Sequence, residues 1–382
     1  MKEYHRLVAE INLDAIGENI RNIRTQIEPK TQLLAIVKAD AYRHGALEVS
    51  RVCLYNGANQ LAVATCDEGV ALRESSIQVP ILILGNTVEA EMEAMIKNRL
   101  TQAVFDYDIA KKISETAKRL NMTALVHIKI DTGMHRIGFA PTEENLDEID
   151  KIFELPNIEV TGIFTHFATA DEKDKTYTRE QFEKFKFMTD GVEARGHKGL
   201  IRHCANSGAI LDMPELQMDM VRAGIIIYGL YPSTEVSTDV KLVPAMSVKT
   251  QVSYVKYLEA GESVGYGRTY FTDKRTKIAT IPIGYADGYS RRLSNKGRVI
   301  INGEYCNIVG MDQCMVDVTN VPDIKVGDEV VIMGKSGDKE VSCEEIANTV
   351  GTINYEIVCN VGKRVPRAFV KNGQVVYTVK AI

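Results

Sequence analysis

The sequence predicts an α/β protein: an N-terminal (β/α)8 TIM-type barrel, residues 1–240, followed by a mostly antiparallel β domain, residues 241–382. At ~150 residues per domain, a chain of 382 residues suits two domains. Before residue 240, short β-branched runs alternate with amphipathic stretches, and strands that alternate with helices pair in parallel. After residue 240, turn residues separate β-rich segments. An open doubly wound sheet remains the alternative, because strand count does not prove closure of a barrel.

The barrel strands are predicted from eight short runs of apolar, β-branched residues. They are 33–37, 61–64, 81–84, 103–105, 125–130, 160–164, 200–203 and 218–222. Apolar residues at helical spacing predict helices in the intervening segments CDEGVALRESS, VEAEMEAMIK, DIAKKISETAKRL and YTREQFEKFKFMTDGVEARG. About eight such units over roughly 230 residues is the size of a (β/α)8 barrel. The first strand of the chain, about residues 1–13, could instead pack with the C-terminal domain.

The C-terminal domain is predicted from hairpin turns that separate segments such as MSVKTQVSYVKYL and GRVIINGEYCNIVG. The turns contain Asn302-Gly303, residues 336–338 and Asn372-Gly373. Asn-Gly and Gly-Asp sequences between apolar runs are typical of antiparallel hairpins. One short helix is predicted over residues 343–349.

The composition excludes several classes of function. Lys plus Arg number 46 and Asp plus Glu 51, a net charge of −5, so no basic excess is available to bind nucleic acid. The longest apolar run, 224–230, is far shorter than the ~20 residues that span a bilayer. The N-terminal segment MKEYHRLVAEINLDA is too polar for a signal peptide. Seven scattered cysteines without a CxxC pair argue against a disulfide framework. We therefore predict a soluble cytoplasmic enzyme with no membrane partner.

Polar residues at the ends of the predicted barrel strands indicate the site, because active sites of this fold lie at the carboxyl ends of the strands. The run LLAIV ends in Lys38. A lysine in this position is poorly solvated, which lowers the pKa of its ammonium and suits it to Schiff-base chemistry with a carbonyl. The plain alternative is a lysine whose charged end reaches solvent. The same end of the barrel also receives Lys129, Arg136, His166, Ser207 and Arg222.

Other motif-like segments are set aside. The sequence GKS at 334–336 lacks the earlier glycine of a P-loop, since position 329 is Glu, and VGYGRTY lacks the third glycine of a dinucleotide-binding loop. His127 and His135 have no HExxH context, so no metal site is expected. Cys204 is interpreted as a small apolar residue of a strand.

Several segments carry a resemblance to a known family. They are VKADAYRHG, HIKIDTGMHRIGF, GIFTHFATAD, RHCANSGA, VRAGIIIYGLYP, VGYGRTY, IPIGYADGYSRRLSN, MDQCMVD and TINYE. By their order and spacing, the chain resembles the alanine racemases, pyridoxal-phosphate (PLP) enzymes of fold type III, over essentially its full length. The family pattern V-K-A-N-A-Y-G-H-G differs here at Asp40, which replaces Asn, and at Arg43, which replaces Gly.

The resemblance implies a PLP site in the barrel, with the cofactor carried covalently by Lys38. Its phosphate would be held by the side chains of Tyr42, Ser207 and Tyr355 and by the backbone amides of Gly224 and Ile225. Loops after the last strands and a helix N-terminus are the usual phosphate site of this fold. Arg222 would face the pyridine nitrogen, with His166 beside it. Because a guanidinium donates but keeps its proton, the ring nitrogen would stay unprotonated, which favours racemisation over transamination.

The resemblance also implies a two-base mechanism, because racemisation needs an acid and a base on opposite faces of a planar intermediate. Lys38 would serve one face and Tyr266 the other. A tyrosine needs nearby cations to act as a base near neutrality. Arg136 and the backbone amide of Met311 would bind the substrate carboxylate. Lys129 would orient Arg136, in the family often as a carbamylated lysine.

A homodimer with shared active sites is the third implication. In the family, residues matching Tyr266, Met311 and Asp312 act on the partner's site, and those matching Tyr285 and Asp171 line the entrance. The chain departs from the family pattern in having about three fewer residues between Gly310 and Met311. Loss of an odd number of residues from a strand reverses the face to which its side chains point.

Alternatives on the same scaffold are a serine or broad-specificity amino-acid racemase and a non-catalytic PLP-binding protein. The phenol of Tyr355 favours alanine, because it leaves little room beyond a methyl group. A single-barrel PLP carrier would lack the β domain and Tyr266. The expected activity is interconversion of L-alanine and D-alanine, which supplies D-alanine for peptidoglycan.

Overall fold

The computed structural model describes residues 6–380 and divides the chain into two compact units. One unit contains residues 16–41 and 45–243, and is called the barrel unit. The other contains residues 6–15, 42–44 and 244–380, and is called the β unit. Residues 42–44 thus group with the β unit, although they lie within the segment predicted for the barrel.

The barrel unit is built on eight parallel strands. In chain order they are β2 (Gln32–Ile36), β3 (Gln60–Val63), β4 (Ile81–Ile83), β5 (Thr101–Val104), β6 (Ala124–Lys129), β7 (Ile158–Phe164), β8 (Ile201–His203) and β9 (Met220–Ala223). Each lies on one of the eight predicted runs. The sheet order is β8-β7-β6-β5-β4-β3-β2-β9, and it lacks the reversal of strand order that a doubly wound sheet requires.

Hydrogen bonds between the two end strands bring the barrel close to closure. The Asp219 amide donates to the Arg202 carbonyl at 3.1 Å, and the Arg222 amide donates to the Ala205 carbonyl at 2.9 Å. The predicted (β/α)8 class is therefore confirmed.

One helix precedes the first barrel strand, and others connect the barrel strands. They are α1 (Leu13–Arg24), α2 (Lys38–Arg43), α3 (Ala46–Tyr55), α4 (Cys66–Glu74), α5 (Glu89–Lys97), α6 (Tyr107–Leu120), α7 (Glu143–Phe153), α8 (Thr176–Ala194) and α9 (Ser207–Asp212). The helices α4, α6 and α7 begin after Thr65, Asp106 and Thr142, whose side chains accept hydrogen bonds from the first-turn amides. The buried residues of α6 and α7 recur at helical spacing. Helix α6 lies on a predicted helical segment, whereas α7 was not among the helices predicted from the sequence.

The β unit contains an 11-stranded, mostly antiparallel sheet. Its strands are β1 (Leu7–Asn12), β10 (Met246–Gln251), β11 (Tyr254–Leu258), β14 (Thr276–Thr280), β15 (Arg298–Ile301), β16 (Glu304–Gly310), β17 (Met315–Asp317), β18 (Glu329–Ser336), β19 (Lys339–Val341), β20 (Arg367–Lys371) and β21 (Gln374–Val379). The short strands β12 (Ser263–Val264) and β13 (Tyr270–Phe271) pair separately. The mostly antiparallel C-terminal domain is thereby confirmed.

The turns of the β unit lie where the sequence places them. Asn302-Gly303 joins β15 to β16 and Asn372-Gly373 joins β20 to β21, and all four residues have the positive φ that such turns need. Strand β1 lies between β10, to which it is antiparallel, and β20, to which it is parallel. Helix α10 (Cys343–Val350) covers the predicted helix, and α11 (Asn354–Cys359) is a further helix that the sequence analysis did not predict.

Within residues 6–380, no helix is both long enough and apolar enough to span a membrane. The same residues contain no group of three His, Cys, Asp or Glu side chains suited to a metal ion.

Candidate active site

The barrel unit gathers most of the predicted site residues at one end. Lys38 follows β2, Lys129 ends β6, and His166 lies two residues after β7. Ser207 begins the helix after β8, and Arg222 lies in β9, immediately before Ala223, Gly224 and Ile225. The loops after β6 and β7 carry Arg136 and Asp171. Because parallel strands end at the same edge, these residues lie at the carboxyl end of the barrel.

The backbone after Lys38 adopts a conformation that the sequence does not predict. Ala39, Asp40, Ala41, Tyr42 and Arg43 have φ angles of 54°, 54°, 52°, 49° and 69°, so α2 is a left-handed helical turn. None of the five is glycine, and a left-handed residue costs roughly 1–2 kcal/mol, so the turn stores on the order of 5–10 kcal/mol. A turn with this much strain must be stabilised by contacts with the residues around it.

Arg222 is the centre of the hydrogen-bond network, and its side chain is buried. Its Nη1 donates to the carbonyl and to Nδ1 of His203, at 3.0 and 3.1 Å. Its Nη2 donates to the Thr165 and Cys204 carbonyls at 2.7 and 3.0 Å, and to Nδ1 of His166 at 3.2 Å. All these acceptors are neutral, and its Nε–H donates to none of the residues in 6–380. Burial, and then Arg136, lower the pKa of Arg222 to about 10, so it is a cation at neutral pH.

Two further histidines extend this network. Because arginine only donates, His203 accepts through Nδ1 and carries its proton on Nε2. That Nε2–H donates to Nδ1 of His127 at 3.0 Å. Burial lowers the pKa of His127 to about 3. Burial, and then Arg222, lower the pKa values of His203 and His166 well below the usual range, so all three rings are neutral.

The sequence alone does not reveal that His127 and His203 support Arg222. It suggests His127 only as a metal ligand, which is set aside, and it assigns no role to His203. The available signal was position, because His203 ends β8 at the same end of the barrel as the other site residues.

Lys129 is a buried lysine whose ammonium is poorly stabilised. Its Nζ donates to the carbonyls of Ile130 and Ile137, at 2.6 and 3.3 Å. Burial first, and then Arg222 and Arg136, lower the pKa of Lys129 to about 7, while Asp131 raises it. A substantial fraction of this amine is therefore neutral near pH 7.

The segments after β8 and β9 contact each other closely. The Gly224 amide donates to Oγ of Ser207 at 2.9 Å, which leaves the hydroxyl proton of Ser207 available as a donor. Asn206 caps α9 by accepting from the Ala209 amide at 3.1 Å. Gly208 is required here, because a Cβ would lie 2.7 Å from the Ala170 carbonyl oxygen. These contacts hold the Ser207 hydroxyl beside the loop that follows β9.

The β unit contains the remaining predicted residues. Tyr266, with 82% of its surface exposed, and the buried Met311 line one cavity of about 370 Å³. Arg291 and Lys296 also line this cavity. Tyr285 is exposed elsewhere in the same unit.

Tyr42 and Tyr355 also lie in the β unit and contact each other. Their ring centroids are 6.1 Å apart, and the rings meet edge to face at 61°. Burial raises the pKa of the Tyr42 hydroxyl, which therefore keeps its proton and acts as a hydrogen-bond donor.

The hairpin around Met311 shows how the chain accommodates its departure from the family pattern. Strand β16 ends at Gly310, which pairs with Met315 beyond an irregularity in the register. Asp312 and Gln313 in the connecting loop have φ angles of 117° and 56°. The Asp312 carboxylate packs against Gly284, where a Cβ would collide with it. The loop is therefore tight and strained.

Comparison with known proteins agrees with this fold. The family model "Alanine racemase, N-terminal domain" matches residues 11–232, and "Alanine racemase, C-terminal domain" matches residues 245–369. The alanine racemase of Clostridium perfringens is 49% identical over 378 residues, which is 98% of each chain.

Solved structures give the same result. The alanine racemase of Clostridium difficile 630 has a TM-score of 0.96 and 44% identity, with 100% of both chains covered. A histidine racemase from Leuconostoc mesenteroides has a TM-score of 0.88 and 29% identity, covering 97% of this chain and 99% of its own.

Fold, site and comparisons together define a two-domain barrel enzyme of the isomerase class. The chain belongs to the alanine racemase family.

Proposed function

We propose that this protein interconverts L-alanine and D-alanine with PLP as cofactor, in the cytoplasm, and supplies D-alanine for peptidoglycan. The observation that carries the proposal is Arg222, a buried cation with neutral partners and an unused Nε–H at the carboxyl end of the barrel. Burial first, and then the positive charges of Arg222, Arg136, Lys129 and Lys38, lower the pKa of the His166 ring at this end of the barrel. This excess of positive charge suits a site that binds two anionic groups, the phosphate of the cofactor and the carboxylate of the substrate.

The residues present fit PLP. Lys38 would hold its aldehyde carbon, and the Nε–H of Arg222 is available to donate to its ring nitrogen. The residues proposed for the phosphate are donors, namely the hydroxyls of Tyr42, Ser207 and Tyr355 and the amide of Ile225. The Gly224 amide, also assigned to the phosphate, donates to Oγ of Ser207 in this structure and so would contribute by holding that hydroxyl in place. When bound, PLP makes the α-proton of an amino acid acidic by withdrawing electrons from the α-carbon. Arg222 limits this effect, because a guanidinium does not give its proton to the ring nitrogen.

The chain's own residues would move the α-proton. Lys38 is assigned to one face of the substrate and Tyr266 of a partner subunit to the other, within a homodimer. Arg136 and the Met311 amide would bind the substrate carboxylate, and Asp312 would support Met311. Tyr285 and Asp171 are assigned to the entrance.

The competing proposal is a broader substrate range, and the histidine racemase neighbour favours keeping it, because that protein has the same fold. The discriminating experiment incubates the PLP-loaded protein separately with L-alanine, L-serine and L-histidine and resolves the products by chiral chromatography. We expect L-alanine to react fastest. Faster turnover of L-serine or L-histidine would favour the broader alternative, and binding of PLP without turnover would favour a carrier.

Replacing Arg222 by Glu tests the role of its charge. A carboxylate accepts a hydrogen bond from a protonated ring nitrogen, so the variant should lose racemisation and form pyruvate by transamination. Arg222→Lys keeps the positive charge and is the matched control, for which no gain in pyruvate is expected. If Arg222→Glu only lost PLP, with no pyruvate formed, the electronic role would be wrong.

Lys129 is proposed to be carbamylated, which the low pKa of its amine supports. The neutral nitrogen would attack CO2, forming an N–C bond and releasing one proton, so that a cation becomes an anion able to orient Arg136. Because only the neutral amine reacts, a carbamate signal in ¹³C NMR with ¹³CO2 should grow as the pH rises from below to above about 7. The signal should be absent from Lys129→Ala. A signal that persists in that variant would assign the carbamate elsewhere.

A further inference from the structure

We propose that Glu68 is a positioning residue for Lys38: its carboxylate bridges the backbone amides of Ala39 and Ala64 and so holds the left-handed turn after β2. This inference rests on the proposed role of Lys38. It concerns contacts within the barrel unit alone.

The two hydrogen bonds are short and use both carboxylate oxygens. The Ala39 amide donates to Oε1 of Glu68 at 2.6 Å, and the Ala64 amide donates to Oε2 at 2.8 Å. Ala39 is the residue directly after Lys38, and Ala64 directly follows β3, the neighbour of β2 in the sheet. Hydrogen bonds to an ionised acceptor are stronger than neutral ones. Glu68 thus ties the start of the turn to the end of the adjacent strand.

Glu68 departs from the usual behaviour of its position in a helix. It is the third residue of α4, after the capping residue Thr65. In a capping box, a glutamate here accepts a hydrogen bond from the amide of the capping residue itself. The reciprocal half is present, since the Glu68 amide donates to Oγ1 of Thr65 at 3.4 Å. The carboxylate instead accepts hydrogen bonds from the backbone amides of Ala64 and Ala39. It therefore stabilises the left-handed turn beside the helix and not the helix terminus itself.

The turn needs such an external contact, because its first residue is already left-handed. Ala39 has a φ of 54° and carries a Cβ that disfavours this conformation. Inside the turn, the Ala41 amide donates to the Val37 carbonyl at 2.8 Å, and the Gly45 amide to the Asp40 carbonyl at 3.0 Å. Loss of the Glu68 carboxylate would release Ala39 and, with it, the backbone that orients Lys38.

The test compares the full-length proteins Glu68→Ala, Glu68→Gln and Asp67→Ala. Asp67→Ala is the matched control, because it removes the same charge from the same turn of α4.

Hydrogen exchange of the peptide that spans residues 38–45, measured by mass spectrometry, reports on the turn without any cofactor. The fraction of Lys38 that borohydride links to PLP, and kcat/KM for alanine, report on the site. Glu68→Ala should raise the exchange rate and lower kcat/KM by roughly tenfold or more, the scale of one lost hydrogen bond to a charged group. Glu68→Gln, which keeps one acceptor, should lie between.

Adding Ala39→Gly to Glu68→Ala separates positioning from a general loss of stability. Glycine adopts a positive φ without the Cβ penalty, so the double variant should recover slow exchange, PLP linkage and kcat/KM. An account in which Glu68 only caps α4 predicts no recovery. The inference is overturned if Glu68→Ala behaves like Asp67→Ala, or if Ala39→Gly restores nothing. If instead the wild type forms no link at Lys38, the proposed function fails, while the exchange data still decide the role of Glu68.

Discussion

Lys38→Ala is expected to lose essentially all racemisation. Two functions disappear together, the covalent attachment of PLP and the base on one face of the substrate. A positioned base alone contributes on the order of 10²–10⁴-fold. Lys38 also lies directly before a left-handed turn whose backbone fixes its position. A lysine elsewhere in the chain lacks this fixed position, so it is not expected to substitute for Lys38.

The measurement has two parts, activity and site of attachment. Wild-type protein loaded with PLP should be yellow, and borohydride reduction followed by peptide mapping should place the label on Lys38. Lys111→Ala, at an exposed lysine of α6, is the control and should keep full activity. A label on Lys129 or on another lysine would contradict the assignment.

Tyr266→Phe is expected to collapse proton exchange on one face of alanine only. The substitution removes the hydroxyl but keeps the ring, and the side chain is 82% exposed, so folding should change little. Lys38 can still exchange the proton on its own face. Deuterium uptake from solvent should therefore become strongly one-sided with respect to L-alanine and D-alanine. Tyr257→Phe, at another exposed tyrosine of the β unit, is the matched control and should leave uptake from both enantiomers unchanged.

The same variant tests the shared site when it is mixed with Lys38→Ala under conditions that exchange subunits. If Tyr266 acts on the partner's site, a heterodimer contains one site lacking both groups and one intact site. Activity should then recover to about half of wild type per heterodimer, although both parents are inactive. If Lys38 and Tyr266 of one chain served the same site, every site in the mixture would stay defective.

The sequence predicts the barrel and the position of its polar residues well, for a physical reason. A strand buried in a parallel sheet must be a short apolar run, so its end is visible in the sequence, and all such ends meet at one edge. Lys129 and Arg222 could be placed in this way.

The features that were missed depend on contacts distant in the chain. The left-handed turn contains no glycine, and this chain carries Arg43 where the family pattern has Gly, so local preference points away from the observed φ of 69°. The link from His203 to His127 joins residues of β8 and β6, which only the folded barrel brings to 3.0 Å.

The central claim, racemisation of alanine, is tested most directly by starting from each enantiomer separately. PLP-loaded protein should convert pure L-alanine and pure D-alanine to the same final mixture, with equal amounts of the two, because enantiomers have equal free energies in an achiral solvent. The alanine should be recovered without loss, and omission of PLP from cofactor-free protein should stop the reaction. Mixtures that differ according to the starting enantiomer, or conversion of alanine to pyruvate or an amine in place of its enantiomer, would contradict the account.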